Sequence, residues 1–255
     1  MMKTYFLIPF LALLSALTPL AIDMYLPAMP SIASDFNVSI EIIQTTLSTY
    51  LLGFAIGQLF YGPLADSFGR KPVLICGLMT YLIASVGIVY GDSIEQFKWL
   101  RLLQAIGGGA ASVVVSSLLR DLFSGSLFSK MMSYVVLSMT LAPLVAPLVG
   151  AQLLVWFSWP SIFVALAILA LLCLLVSYIG IKETLPKARR VAFNLPQVFS
   201  NYWLILHNRK VLGLMLCGAF NVSGMFAFRT HPPLSILNIL GLMLNVMAIC
   251  LLVIF

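Results

Sequence analysis

Two ionisable side chains stand inside apolar sequence, where a charge is costly to hold. Asp23 lies in the run Tyr5–Leu26 and Arg101 in the run Phe97–Leu119. Asp23 follows Lys3 by twenty residues, roughly 30 Å along a helix. Arg101 precedes Arg120 by nineteen residues, roughly 28 Å on a helix of opposite direction. The two charges are therefore expected at nearly one depth, toward the outer leaflet, where opposite charges pair and an unpaired one costs a few kcal/mol or more. A carboxylate beside a guanidinium changes its protonation as partner distance and hydration change. That is the chemistry of proton coupling or substrate sensing in a cavity. Arg101 carries the heavier cost, because a guanidinium does not shed its proton. The alternatives are a structural tie, or an Asp23 solvated at the outer interface.

The elements that must position these groups follow from composition. The chain is 62% hydrophobic and 9% charged, with a mean hydropathy of +1.08, too few charges for the surface of a soluble domain of this length. Apolar runs near the ~20-residue bilayer-spanning length predict an all-α polytopic membrane protein. Spans are expected at Tyr5–Leu26, Ile42–Tyr61, Pro72–Tyr90, Phe97–Leu119, Met131–Trp156 and Ile162–Ile181. A basic linker, 182–210, follows. A seventh span is expected at Val211–Phe228, and an eighth begins near Leu234. This divides the chain into a six-helix half (1–181), the linker, and a partial second half (211–255). With the amino terminus in the cytoplasm, eleven of the fourteen Lys and Arg residues fall in cytoplasmic segments, while Asp35, Glu41, Asp92 and Glu95 fall outside. That asymmetry predicts a cytoplasmic amino terminus and explains the net charge of +6 without a nucleic-acid partner. Cys76, Cys173, Cys217 and Cys250 lie in apolar runs without CxxC spacing, so packing is expected rather than metal or disulfide chemistry.

Between the second and third spans the chain reads Gly62-Pro63-Leu64-Ala65-Asp66-Ser67-Phe68-Gly69-Arg70-Lys71-Pro72. Gly62 and Gly69 are expected to release the backbone into a turn, with Arg70 and Lys71 holding it in the cytoplasm. This stretch resembles the signature loop of the major facilitator superfamily, with Ser67 where that family usually carries arginine. Arg101-Leu102-Leu103-Gln104 followed by Gly107-Gly108-Gly109 resembles the family's fourth-span motif, with Ala105 in place of one glycine. That resemblance implies proton-coupling or substrate roles for Arg101 and Gln104. The segments Ile22–Pro30 and Leu47–Gln58 look like the first and second spans of the Bcr/CflA type of multidrug efflux transporter, where a carboxylate recurs at the position of Asp23. The resemblance implies a major facilitator fold and a drug:proton antiporter in a bacterial inner membrane. Its energy source would be the proton gradient rather than a cofactor, and lipophilic or cationic drugs would leave as protons enter.

In the fifth span, Pro143 and Pro147 each remove a backbone donor, and the small residues around them allow close helix approach. The stretch Ala142–Ala151 is similar to the antiporter motif of drug exporters. Pro147 and Gly150 fit it, and Ala146 and Ala151 replace glycines. Glu183-Thr184-Leu185-Pro186 also resembles drug-exporter sequence. No phosphate-binding GxxxxGK[ST] loop and no nucleophile–base constellation occurs, so an enzyme is not expected. The resemblance fades beyond Phe228, where Arg229-Thr230-His231-Pro232-Pro233 interrupts the pattern. Transporters of this type have two six-helix halves. A shortened chain is therefore expected, one that transports nothing alone or associates with another transporter chain. The other readings are a non-transporting membrane partner, and the same fold exporting an amino acid or sugar.

Overall fold

A computed structural model describes residues 4–230, and all regular structure in this range is helical. The elements are α1 (Thr4–Asp23), a 3-10 turn (Leu26–Ala28), α2 (Met29–Asp35), α3 (Ile40–Phe68), α4 (Arg70–Val89), α5 (Ile94–Leu122), α6 (Gly125–Trp156) and α7 (Pro160–Gly180). A second 3-10 turn (Lys187–Arg189), α8 (Leu195–His207) and α9 (Arg209–Thr230) follow. Six segments are long and apolar enough to cross a bilayer: Phe6–Asp35 and the helices α3 to α7. Helices satisfy every backbone group internally, which lipid requires. The expected seventh span falls within α9, and the expected eighth lies outside the described residues.

The structure corrects two local expectations. Gly62 and Asp66 are not in a turn, because α3 runs unbroken through Pro63 to Phe68. The reversal is made by Gly69 alone, at φ +107°, a conformation that side chains with a Cβ rarely adopt. Ser67 Oγ donates to the Pro63 carbonyl (2.9 Å) inside this helix. The first span ends its regular helix at Asp23 rather than Leu26, and the chain re-enters helix with Pro27 and Pro30 in first turns, where their missing N–H groups cost nothing. Within the basic linker lies a further helix, α8.

The chain divides into two compact units, one through Phe193 and one from Asn194 onward. In the first, α5 packs against α3 and α4, α4 packs on α7, and α1 lies along α6. Leu11, Leu14, Leu74, Leu78, Val114 and Leu118 are part of its apolar core. Small residues set the helix spacing. A Cβ on Gly107 of α5 would stand 2.5 Å from the Tyr81 amide nitrogen and 2.6 Å from the Gly77 carbonyl oxygen of α4. Both are backbone atoms and cannot rotate away. Gly107→Val is therefore expected to destabilise this unit by about 3 kcal/mol, read as a lower thermal unfolding midpoint in detergent. An unchanged midpoint would mean that α4 and α5 do not approach this closely.

In the second unit α9 follows α8 after Asn208, whose side chain accepts from the Lys210 and Val211 amides.

Candidate functional site

Helix α5 is capped by Ser93, whose hydroxyl accepts the Gln96 amide. Two turns in, Arg101 is fully buried at 0% exposure. Its Nη1 donates to the Ala21 carbonyl of α1 (3.2 Å) and to Gln104 Oε1 (2.9 Å). Gln104 Nε2 in turn donates to Ser85 Oγ on α4 (2.8 Å), which donates to the Tyr81 carbonyl (2.7 Å). A relay thus runs from α1 through α5 to α4. Arg101 Nε and Nη2 find no hydrogen-bond partner among the described residues.

Aromatic faces take their place. The guanidinium carbon lies 4.6 Å from the Tyr25 ring centre, 4.4 Å from Tyr50 and 5.6 Å from Phe163. Desolvated cation–π contacts contribute about 2 kcal/mol each and charge-assisted hydrogen bonds about 1.5–3. Together they are of the same order as the several kcal/mol needed to bury the charge. Tyr25 is itself held by Thr46 Oγ1 (2.7 Å) across α3. A tilted and edge-to-face cluster of Tyr25, Phe36, Phe97, Trp159 and Phe163 packs above it, with ring centres 5.7–6.3 Å apart. Trp159 Nε1 donates to Asp35 at the end of α2.

Asp23 closes α1 and is 2% exposed. It lies two residues beyond Ala21, so the Arg101–Ala21 bond brings the guanidinium onto the Ala21–Asp23 stretch. The α6 motif reaches the same place: a Cβ on Gly150 would overlap the Met24 carbonyl. Pro143 and Pro147 lie within a helix that stays continuous from Gly125 to Trp156. The structure thus gathers Asp23, Arg101, Gln104 and Gly150 into one region. It holds the Gly62–Lys71 motif apart, since Asp66 lies sixteen residues beyond Tyr50 on α3, about 24 Å away along the helix.

That second region is an ionic knot around Gly69. Arg70 is buried at 8% exposure and pairs with Asp66 (2.6 Å) and Asp121 (3.3 Å). Glu183 accepts the backbone amides of Arg70 (2.9 Å), Lys71 (3.2 Å) and Leu185 (3.0 Å), and meets Arg190 at 3.7 Å. Its carboxylate therefore caps α4, where the exposed amides and the helix dipole favour an anion. Thr184 donates to Asp121 (2.8 Å), the Val191 amide to the Asp66 carbonyl (3.3 Å), and Lys71 Nζ to the Tyr178 carbonyl (2.6 Å). Gln58, Gly62, Asp66, Ser112, Ser116 and Arg120 are among the residues lining a cleft of about 330 Å³ beside it.

Sequence reasoning assigned no role to Ser85, Tyr25, Tyr50, Asp121 or Glu183 in these regions. A fixed positive charge in an apolar run demands counter-groups, and that demand was the available signal for the two tyrosines. Among the described residues, no three His, Cys, Asp or Glu side chains gather in a way that could hold a metal ion.

A sequence profile described as "Major Facilitator Superfamily" matches residues 11–255. The chain is 38% identical over 239 residues to a bicyclomycin resistance protein homolog of Haemophilus influenzae, covering 94% of this chain and 60% of that one. It is 35% identical over 225 residues to the multidrug resistance protein MdtL of Escherichia coli, covering 88% and 56%. To a chloramphenicol resistance protein of Pseudomonas aeruginosa it is 34% identical over 224 residues, covering 85% and 51%. The chain thus spans between about half and 60% of the length of these relatives. Among solved structures, the fold is similar to that of the human organic anion transporter MFSD10, with a TM-score of 0.61, 19% identity and coverage of 84% and 60%. It is also similar to the fold of a peptide transporter, with a TM-score of 0.62, 15% identity and coverage of 88% and 51%.

Proposed function

Since the chain belongs to the major facilitator superfamily, a family of multi-pass membrane transporters and not of enzymes, we propose that its six-helix unit carries the coupling site of a drug:proton antiporter. Its cargo would be lipophilic or cationic drugs, expelled as protons enter. The observation that supports this reading most is the fully buried Arg101, hydrogen-bonded to Ala21 and Gln104 beside the stretch that ends at Asp23. A cationic ligand arriving beside a protonated carboxylate would favour release of its proton. Drug and proton would then compete for one site, the thermodynamic basis of antiport by alternating access. The drug-resistance names of the bacterial relatives favour export over uptake. The bacterial relatives favour an inner-membrane location, and the distribution of Lys and Arg favours a cytoplasmic amino terminus.

The test is binding-linked proton release. Adding tetraphenylphosphonium, a lipophilic cation, to the purified chain in weakly buffered detergent is expected to release protons. Asp23→Asn is expected to remove the release while binding persists. Binding without proton release in the unaltered chain would overturn the coupling reading, and absence of binding would overturn the cargo class.

A further inference from the structure

Helix α8 has an apolar face that the described residues of its own unit leave open. Asn194 caps it, accepting the Gln197 amide, and its 13 residues make about 20 Å of helix, too short to span a bilayer. At 100° per residue, Leu195, Phe199, Tyr202 and Leu206 fall on one side with Trp203 at its margin. Gln197, Ser200, Asn201 and His207 fall on the other, where Leu204 (74% exposed) is the one apolar interruption. The apolar side is exposed at Phe199 (60%), Trp203 (66%) and Leu206 (45%). Trp203 packs at a tilt against His207 with ring centres 4.4 Å apart, a ring pair with a polar tip at the edge of the stripe.

The charges flanking this helix are of one sign. Lys187, Arg189 and Arg190 precede it and Arg209 and Lys210 follow, and no Asp or Glu occurs after Glu183. A groove on another protein could cover the apolar stripe, but it would also have to neutralise a basic flank at each end. The headgroup layer of an anionic bilayer supplies an apolar boundary and negative charge in one surface. The chain already places a bilayer within reach, because six of its segments are long and apolar enough to cross one. We infer that α8 lies flat in the headgroup layer of an anionic phospholipid membrane. Phe199, Trp203 and Leu206 dip toward the acyl chains, and Arg209 and Lys210 meet lipid phosphates.

The full chain, with its four cysteines replaced by alanine, is reconstituted in phosphatidylcholine vesicles containing one-third phosphatidylglycerol. A spin label is attached at Phe199→Cys or at Gln197→Cys. The ratio of collision with oxygen to collision with an aqueous nickel chelate is expected to be at least about fivefold higher at position 199 than at 197. High nickel access at both positions would place the helix in water, and low access to both reagents at 199 would place it against protein. Either outcome overturns the inference. In vesicles of phosphatidylcholine alone, or with Arg209→Gln and Lys210→Gln together, the ratio at 199 is expected to fall by about half or more. An unchanged ratio would overturn the preference for anionic lipid. A second measurement keeps the native cysteines. Fluorescence lost between the unaltered chain and Trp203→Phe isolates Trp203, whose emission lipid brominated near the headgroup should quench. No quenching would again overturn the placement.

Discussion

Arg101→Lys is expected to weaken tetraphenylphosphonium-linked proton release by at least about 30-fold in apparent affinity while the six-helix unit stays folded. An ammonium keeps the charge but cannot lie as a plane between the Tyr25 and Tyr50 rings while also donating to Ala21 and Gln104. Loss of a single desolvated ring contact is worth about 2 kcal/mol, which is about 30-fold in an equilibrium constant. Tyr50→Phe keeps the aromatic face and should hold affinity within about threefold, whereas Tyr50→Leu should resemble Arg101→Lys. Elution as a single monodisperse peak separates a lost site from a lost fold. Full coupling in Arg101→Lys would show that charge alone, and not the stacked geometry, sets the site.

Gly69→Ala carries the largest expected loss of stability. At φ +107° an alanine is strained by about 1–3 kcal/mol. Its Cβ would also overlap the Glu183 carboxylate, displacing the group that accepts three backbone amides. With the partial exposure of Glu183 taken into account, the combined cost is about 3 kcal/mol or more. For a unit of this size that lowers the unfolding midpoint by about 10 °C. With Cys76, Cys217 and Cys250 replaced by alanine, a thiol-reactive dye reports it, because Cys173 is buried at 1% exposure and becomes available only on opening. Glu183→Gln keeps an acceptor oxygen and loses the pairing with Arg190, so its midpoint should fall by less than half as much. A Gly69→Ala protein with an unshifted midpoint would rule out Glu183 as the cap of α4.

Much of this architecture was legible because lipid imposes a simple rule: a spanning segment must be apolar and about twenty residues long. The expected span at Pro72–Tyr90 and the helix at Arg70–Val89 differ by two residues at most. Arg101 was legible for the opposite reason, as a charge in a place that tolerates few. Its neighbours were less so. Tyr25, Tyr50 and Phe163 come from the turn after α1, from α3 and from α7, and only packing reveals that their faces converge. Gly62 misled because a glycine in a charged stretch suggests a turn, whereas in α3 the helix runs on for six more residues to Phe68. Glu183 stands in a stretch that resembles drug-exporter sequence, but its task depends on Gly69 leaving space more than a hundred residues earlier. The period of α8 was present in Leu195, Phe199, Tyr202 and Leu206, and the basic residues on either side hid it within a stretch classed as linker.

The capping of α4 by Glu183 has a mechanical consequence. The strand of chain leaving α7 does not hang from the last turn of that helix. It is riveted within a few residues to the ends of α3, α4 and α5 through Glu183, Thr184 and Val191. A pull along the chain from beyond Phe193 would be borne in parallel by three helix ends, as a cable clamp spares its connector. The load would arrive at Gly69, the hinge that can least absorb a change of residue.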